Sequence, residues 1–105
     1  MNNKVAIYIR YNKSVEKMQL EEVVNYAKKN NLDLYKIYID ISSGILPNPP
    51  ELTKLINESR NFDKLLIHSI DRISRNIKYF YDVKNKLYKN NVKIISVKEN
   101  LLIWE

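Results

Sequence analysis

The chain is 105 residues long, 45% hydrophobic and 29% charged, with a formal net charge of +6, one Gly, three Pro and no Cys. That arithmetic leaves room for one compact domain, too hydrophobic for disorder and without the run of ~20 apolar residues that crosses a membrane. No cysteine, a lone histidine (His68) and a lone glycine (Gly44) exclude disulfides, thiolate or histidine-built metal centres, and the GxGxxG and Walker phosphate loops.

In chain order, Lys4–Arg10 (KVAIYIR) predicts a buried strand. A helix follows, with Leu20, Val23, Val24 and Ala27 on one face and Glu21, Glu22, Lys28 and Lys29 on the other; Asn30-Asn31 ends it. Leu34–Asp40 predicts a second strand. The stretch Ile41–Pro50 holds the only Gly and all three Pro, so it reads as a loop. Pro50 suits the first turn of a short helix that turns Leu52, Leu55 and Ile56 inward. Phe62–Ser69 predicts a third strand, and Ser74–Asn90 a helix with Ile77, Phe80, Val83 and Leu87 on one stripe. Val92–Val97 predicts a fourth strand. The apolar tail Leu101–Trp104 needs cover, from the sheet or from a partner.

Strands alternating with helices imply right-handed βαβ units and a doubly wound, three-layer α/β domain. The expected sheet is mainly parallel and four-stranded, in the order 2-1-3-4, and one domain spans 1–105. Ligands of such sheets bind beyond the carboxyl ends of the strands at the topological switch, here between strands 1 and 3. Arg10 and Asn12 follow strand 1, Asp40 ends strand 2, and Asp71, Arg72 and Arg75 follow strand 3.

A basic balance favours anionic partners, nucleic acid before membrane. Of the 18 basic residues 14 are Lys, which a low-GC coding bias would also produce, and only four are Arg. Three of those, Arg10, Arg72 and Arg75, fall at the predicted switch point. Several guanidinium groups suit a phosphodiester, whose charge grows during phosphoryl transfer. No acidic cluster for magnesium is evident, so the expected chemistry is metal-free and without a cofactor. Read alone, Asp71-Arg72-x-x-Arg75 fits a surface ion pair as well as an anion site. His68, without a second histidine, reads as a neutral imidazole at a strand end. Tyr8, Tyr26, Tyr35 and Tyr38 are expected in the core. Tyr79, Tyr81 and Tyr88, with Lys78, Lys84, Lys86 and Lys89, form either a solvated helix face or one that meets DNA or another subunit.

Tyr8-x-Arg10, Asp40 with Ser42-Ser43-Gly44, and His68-Ser-Ile-Asp71-Arg72-Ile-Ser-Arg75-Asn76 together resemble the catalytic domain of serine recombinases, the resolvase/invertase family of mobile elements. The resemblance covers nearly the whole chain. It implies site-specific DNA cleavage and rejoining through a covalent phosphoserine, within an assembly of subunits, in the cytoplasm. By motif, Arg10, Arg72 and Arg75 hold the phosphate, Asp71 orients them or assists proton transfer, and Tyr8, Asp40 and Ser69 support the cluster. The implied partners are DNA and either a second copy or another recombinase subunit. The family continues into an oligomerisation helix and a separate DNA-binding domain, and no such C-terminal domain follows in these 105 residues.

Two positions depart from the family pattern. Asn12 stands where the nucleophilic serine belongs, and its delocalised amide cannot replace a hydroxyl. Pro49 stands where the family has a phosphate-binding arginine. Ser14 is a poor substitute: two residues can displace a side chain by ~6–7 Å, and in-line attack needs about 3–3.5 Å. The expectation is an impaired or inactive recombinase-like domain, or a non-catalytic module that binds DNA or a recombinase. A receiver-like domain is disfavoured, because Arg10-Tyr11-Asn12 occupies the place of its metal-binding acidic pair.

Overall fold

The computed structural model describes residues 4–11, 16–41, 49–69, 77–98 and 101–103. The elements are β1 (Lys4–Tyr11), α1 (Glu16–Lys29), β2 (Asp33–Ile41), α2 (Pro50–Asn57), a 3-10 turn (Ser59–Asn61), β3 (Lys64–Ile67), α3 (Ile77–Lys89), β4 (Lys93–Ser96) and β5 (Leu101–Ile103). The four expected strands lie parallel in the order β2-β1-β3-β4. The sheet has one strand more than expected: β5 pairs antiparallel with β4, Ile95 opposite Leu102. Residues Leu101–Ile103 of the tail thus fold back onto the sheet edge; Trp104 lies outside the described residues. No helix among the described residues is long and apolar enough to cross a membrane.

Alternating side chains of the central strands feed two cores. Val5, Ile7, Ile9 and Leu66 pack under α1 through Val23 and Ala27. Ala6, Tyr8, Leu65 and Ile67 pack under α2 and α3 through Leu52, Leu55, Val83 and Leu87. Being covered on both faces, β1 is buried without interruption from Val5 to Ile9, as its unbroken apolar run predicts.

The outer strand departs from that regularity. Val5 pairs with Leu34 and Ala6 with Lys36, so Tyr35 is an extra residue on β2. Tyr35 was expected in the core; it is 37% exposed, its ring 5.9 Å from that of Phe62. The bulge restores the phase of β2, setting Tyr38 opposite Tyr8 and Asp40 opposite Arg10.

Both long helices stop by the same device. After α1 the Leu32 N–H donates to the Ala27 carbonyl (2.9 Å) and the Asn31 N–H to that of Lys28 (3.1 Å). After α3 the Val92 N–H donates to Leu87 (3.0 Å) and the Asn91 N–H to Tyr88 (2.9 Å). These are Schellman closures, which require a left-handed residue at the turn. Asn31 (φ 56°) and Asn91 (φ 62°) supply it where glycine is commoner. Replacing Asn91 with Gly should raise the unfolding free energy by about 0.5–1 kcal/mol, and Asn91→Val should lower it by about 1 kcal/mol or more. Urea denaturation checks this; equal midpoints for the two variants would contradict it.

Candidate functional site

Tyr8 has no exposed surface, so its hydroxyl needs a partner inside the protein. It donates to Asp40 Oδ2 at 2.8 Å. Asp40, the penultimate residue of β2, is 2% exposed, and as a buried carboxylate must itself be satisfied. Its other donors come from the start of α2: the Glu51 N–H reaches Oδ1 at 2.9 Å and the Leu52 N–H reaches Oδ2 at 3.0 Å.

That geometry follows from the sequence of α2. Pro49, at the N-cap, has no side-chain oxygen to cap with, and Pro50 has no N–H. The first amide donors of the helix are therefore Glu51 and Leu52, and Asp40 takes both from another element. A negative charge there also suits the positive end of the helix dipole.

Arg10 is the next residue beyond Tyr8 on the same face of β1, half-buried, and the Cα partner of Asp40. Its charge acts on two phenols, Tyr8 and Tyr79 of α3, and Asp40 acts on the same two. Tyr8, Arg10, Asp40 and Tyr79 thus form one electrostatic cluster under α2 and α3. Burial, and then the hydrogen bond to Asp40, push the Tyr8 hydroxyl far above its usual range; Arg10 opposes this but does not win. Burial raises Tyr79 too, again against Arg10. Both phenols remain proton donors at any physiological pH.

A second phenol–carboxylate pair lies beside it, where Tyr38 of β2 is the register partner of Tyr8. Tyr38, fully buried, donates to Glu58 Oε1 at 2.5 Å; Lys36 Nζ sits 3.5 Å from the same oxygen and 5.0 Å from the centre of the Tyr38 ring. The hydrogen bond first, and Lys36 after it, hold the Glu58 carboxyl below its usual value.

Of the sequence-predicted residues, Tyr8, Arg10 and Asp40 come together. Ser69 is buried just beyond β3, 4% exposed. His68 turns toward α1 instead, with Nε2 3.4 Å from Glu22 Oε1 and Nδ1 buried without a hydrogen-bond partner. Asn12, Ser14, Asp71, Arg72 and Arg75 lie outside the described residues, as do Ser42, Ser43, Gly44 and Ser74. Sequence reasoning missed Tyr79, which is half-buried against the core and not on an open basic face. It also missed the N–H pair of α2. The only signal for the latter is a capless Pro-Pro helix start facing an acidic strand end.

Two measurements check this account. Asp40→Ala leaves a phenol and two amides unsatisfied and should cost about 3 kcal/mol or more, against about 1–2 kcal/mol for Tyr8→Phe. In alkali, the folded-state pKa values of Tyr8 and Tyr38 lie above the usual 10.0, so their contribution to stability is complete below pH 10.0 and is lost as pH rises beyond it. Absorbance at tyrosinate wavelengths should show two phenols ionising only with unfolding, and Tyr8→Phe should remove one of them.

The comparisons with known proteins agree on one family. The model of the resolvase N-terminal domain matches residues 5–104. A resolvase of Clostridium perfringens is 28% identical over 89 residues, 85% of this chain and 47% of that protein. The N-terminal catalytic domain of TP901-1 integrase superimposes with a TM-score of 0.84 at 32% identity, covering 94% of this chain and 80% of that one. The C-terminal catalytic domain of ISC1926 TnpA, an IS607-like serine recombinase, gives 0.80 at 27% identity, covering 90% and 68%. The chain spans about half the length of the curated relatives it matches, or less.

Proposed function

The chain belongs to the resolvase N-terminal-domain family, and from that premise we propose that it is a serine-recombinase-type domain that engages a DNA phosphodiester, with strand cleavage impaired or absent because Asn12 occupies the nucleophile position. The observation that carries this reading is the place of Arg10. It stands at the carboxyl end of β1, beside a buried Tyr8–Asp40 pair. Its charge reaches Tyr79, four residues beyond Arg75 in the chain.

Cleavage by phosphoryl transfer needs an oxygen that attacks phosphorus and gives up its proton, while the departing sugar oxygen takes one. Arg10, Arg72 and Arg75 would bear the charge that accumulates on the non-bridging oxygens. Asp71 would orient them or move the proton. Asp40, already accepting three hydrogen bonds, is a support and not a proton carrier. Asn12 offers no oxygen nucleophile, so the attack has no first step. A domain in this state still holds DNA and still pairs with a second copy or an active recombinase subunit in the cytoplasm. Asn12 equally favours the second reading, a regulatory module without catalysis.

A library of nicked random-sequence duplexes tests both. The chain should retain DNA at low salt, and denaturation should release all of it. Arg10→Ala should weaken retention and lower the slope of log affinity against log salt by about 0.9. Asn12→Ser should produce a denaturation-resistant protein–DNA adduct. A covalent adduct formed by the unaltered chain, at Ser14 or elsewhere, would overturn the impairment. An Asn12→Ser protein that binds DNA normally yet forms no adduct would favour the regulatory reading.

A further inference from the structure

The outer face of α3 bears features that neither the core nor the strand-edge cluster uses. Tyr81 and Tyr88 are each 50% exposed, among the few large apolar side chains left open to solvent. They are seven residues apart, two turns of helix, and so lie on one stripe about 10 Å long. Lys84 falls between them on the same stripe, its Nζ 5.2 Å from the centre of the Tyr81 ring. The helix carries Lys78, Lys84, Lys86 and Lys89 against a single acid, Asp82. Its opposite face is committed to the core through Val83 and Leu87, with Tyr79 and Phe80 packed beside them.

Open aromatic rings interleaved with lysines match one class of ligand closely. Rings stack on unpaired bases, and flanking ammonium groups follow the phosphates. A duplex buries its base faces against one another and would leave both tyrosine rings without a stacking partner. A purely electrostatic anion site would not need the rings. We propose that the outer face of α3 is a binding stripe for single-stranded DNA, with Tyr81 and Tyr88 as stacking platforms and Lys78, Lys84 and Lys89 along the backbone. The stripe is separate from the Arg10 cluster and does not rest on the reading given to it.

The test uses the full chain and a fluorescein-labelled twelve-nucleotide oligo(dT), followed by anisotropy across a salt series. The double variant Tyr81→Ala/Tyr88→Ala should weaken binding about tenfold or more, while Tyr81→Phe/Tyr88→Phe, which keeps the rings, should bind like the parent. Lys78→Ala/Lys89→Ala should lower the salt slope by about 1.4. All these side chains are exposed, so thermal melts should not move. Repeating the tyrosine comparison in an Arg10→Ala background keeps the two sites apart: an ineffective Arg10→Ala alone speaks against the strand-edge reading and leaves the stripe intact. Unaltered oligo(dT) binding by the alanine pair would overturn the proposal. So would an equal loss on a duplex of the same length, or tyrosine-dependent binding to vesicles containing phosphatidylserine without binding to oligo(dT). Tyrosine-dependent self-association that excludes oligo(dT) would overturn it in favour of a second copy of the chain.

Discussion

A single carboxylate, that of Asp40, holds the carboxyl end of the sheet together. It joins three elements that are far apart in sequence: the end of β2, the core face of β1 through Tyr8, and the first amides of α2. A charge this deep is tolerable only because its hydrogen-bonding capacity is spent on donors that hold fixed positions. The consequence for Arg10 is direct. Its neighbours across the strand pair and below it on β1 are fastened, so Arg10 stands on a fixed stretch of backbone.

Helix α2 is fastened at both ends by the same chemistry. Eight residues are too few for a helix to stand alone in water. At its start Asp40 takes the two amides that its prolines leave first in line; at its end Glu58, the C-cap residue, accepts the Tyr38 hydroxyl. Tyr8 and Tyr38 are register partners on adjacent strands. The two phenols therefore form a cross-strand pair that anchors opposite ends of one short helix, while Leu52 and Leu55 fill the space between.

Much of this is legible in the sequence. The parallel order followed from strand–helix alternation and the need for cover on both faces, and Arg10 and Asp40 fell at the switch point for the same reason. Asn30-Asn31 announced the end of α1, because asparagine tolerates the left-handed turn. Other features depend on tertiary partners that local pattern does not encode. The bulge at Tyr35 leaves no trace in the run Leu34–Ile39, which has no Gly or Pro to mark it. Strand β5 is only three residues long, and it exists because the edge of β4 offers it hydrogen bonds. Tyr79 read as a surface residue because helical periodicity does not say how far the core reaches around the flank of α3. Asp40 lies at the carboxyl end of β2, and two of its three hydrogen-bond partners are backbone amides, which carry no residue identity to read.

The extra residue in β2 also bears on how such a strand can vary. Upstream of Tyr35 the strand is indexed to the start of β1, and downstream it is indexed to Arg10 and Tyr8. Tyr35 is the one residue of slack between those two indices. Removing it would leave Leu34 beside Val5 and Lys36 beside Ala6 in regular alternation. An insertion or deletion between Lys36 and Ile39 would instead rotate Asp40 out from under α2. Length change in this edge strand is thus permitted at one position and forbidden a few residues later, although nothing in the composition of the strand distinguishes them.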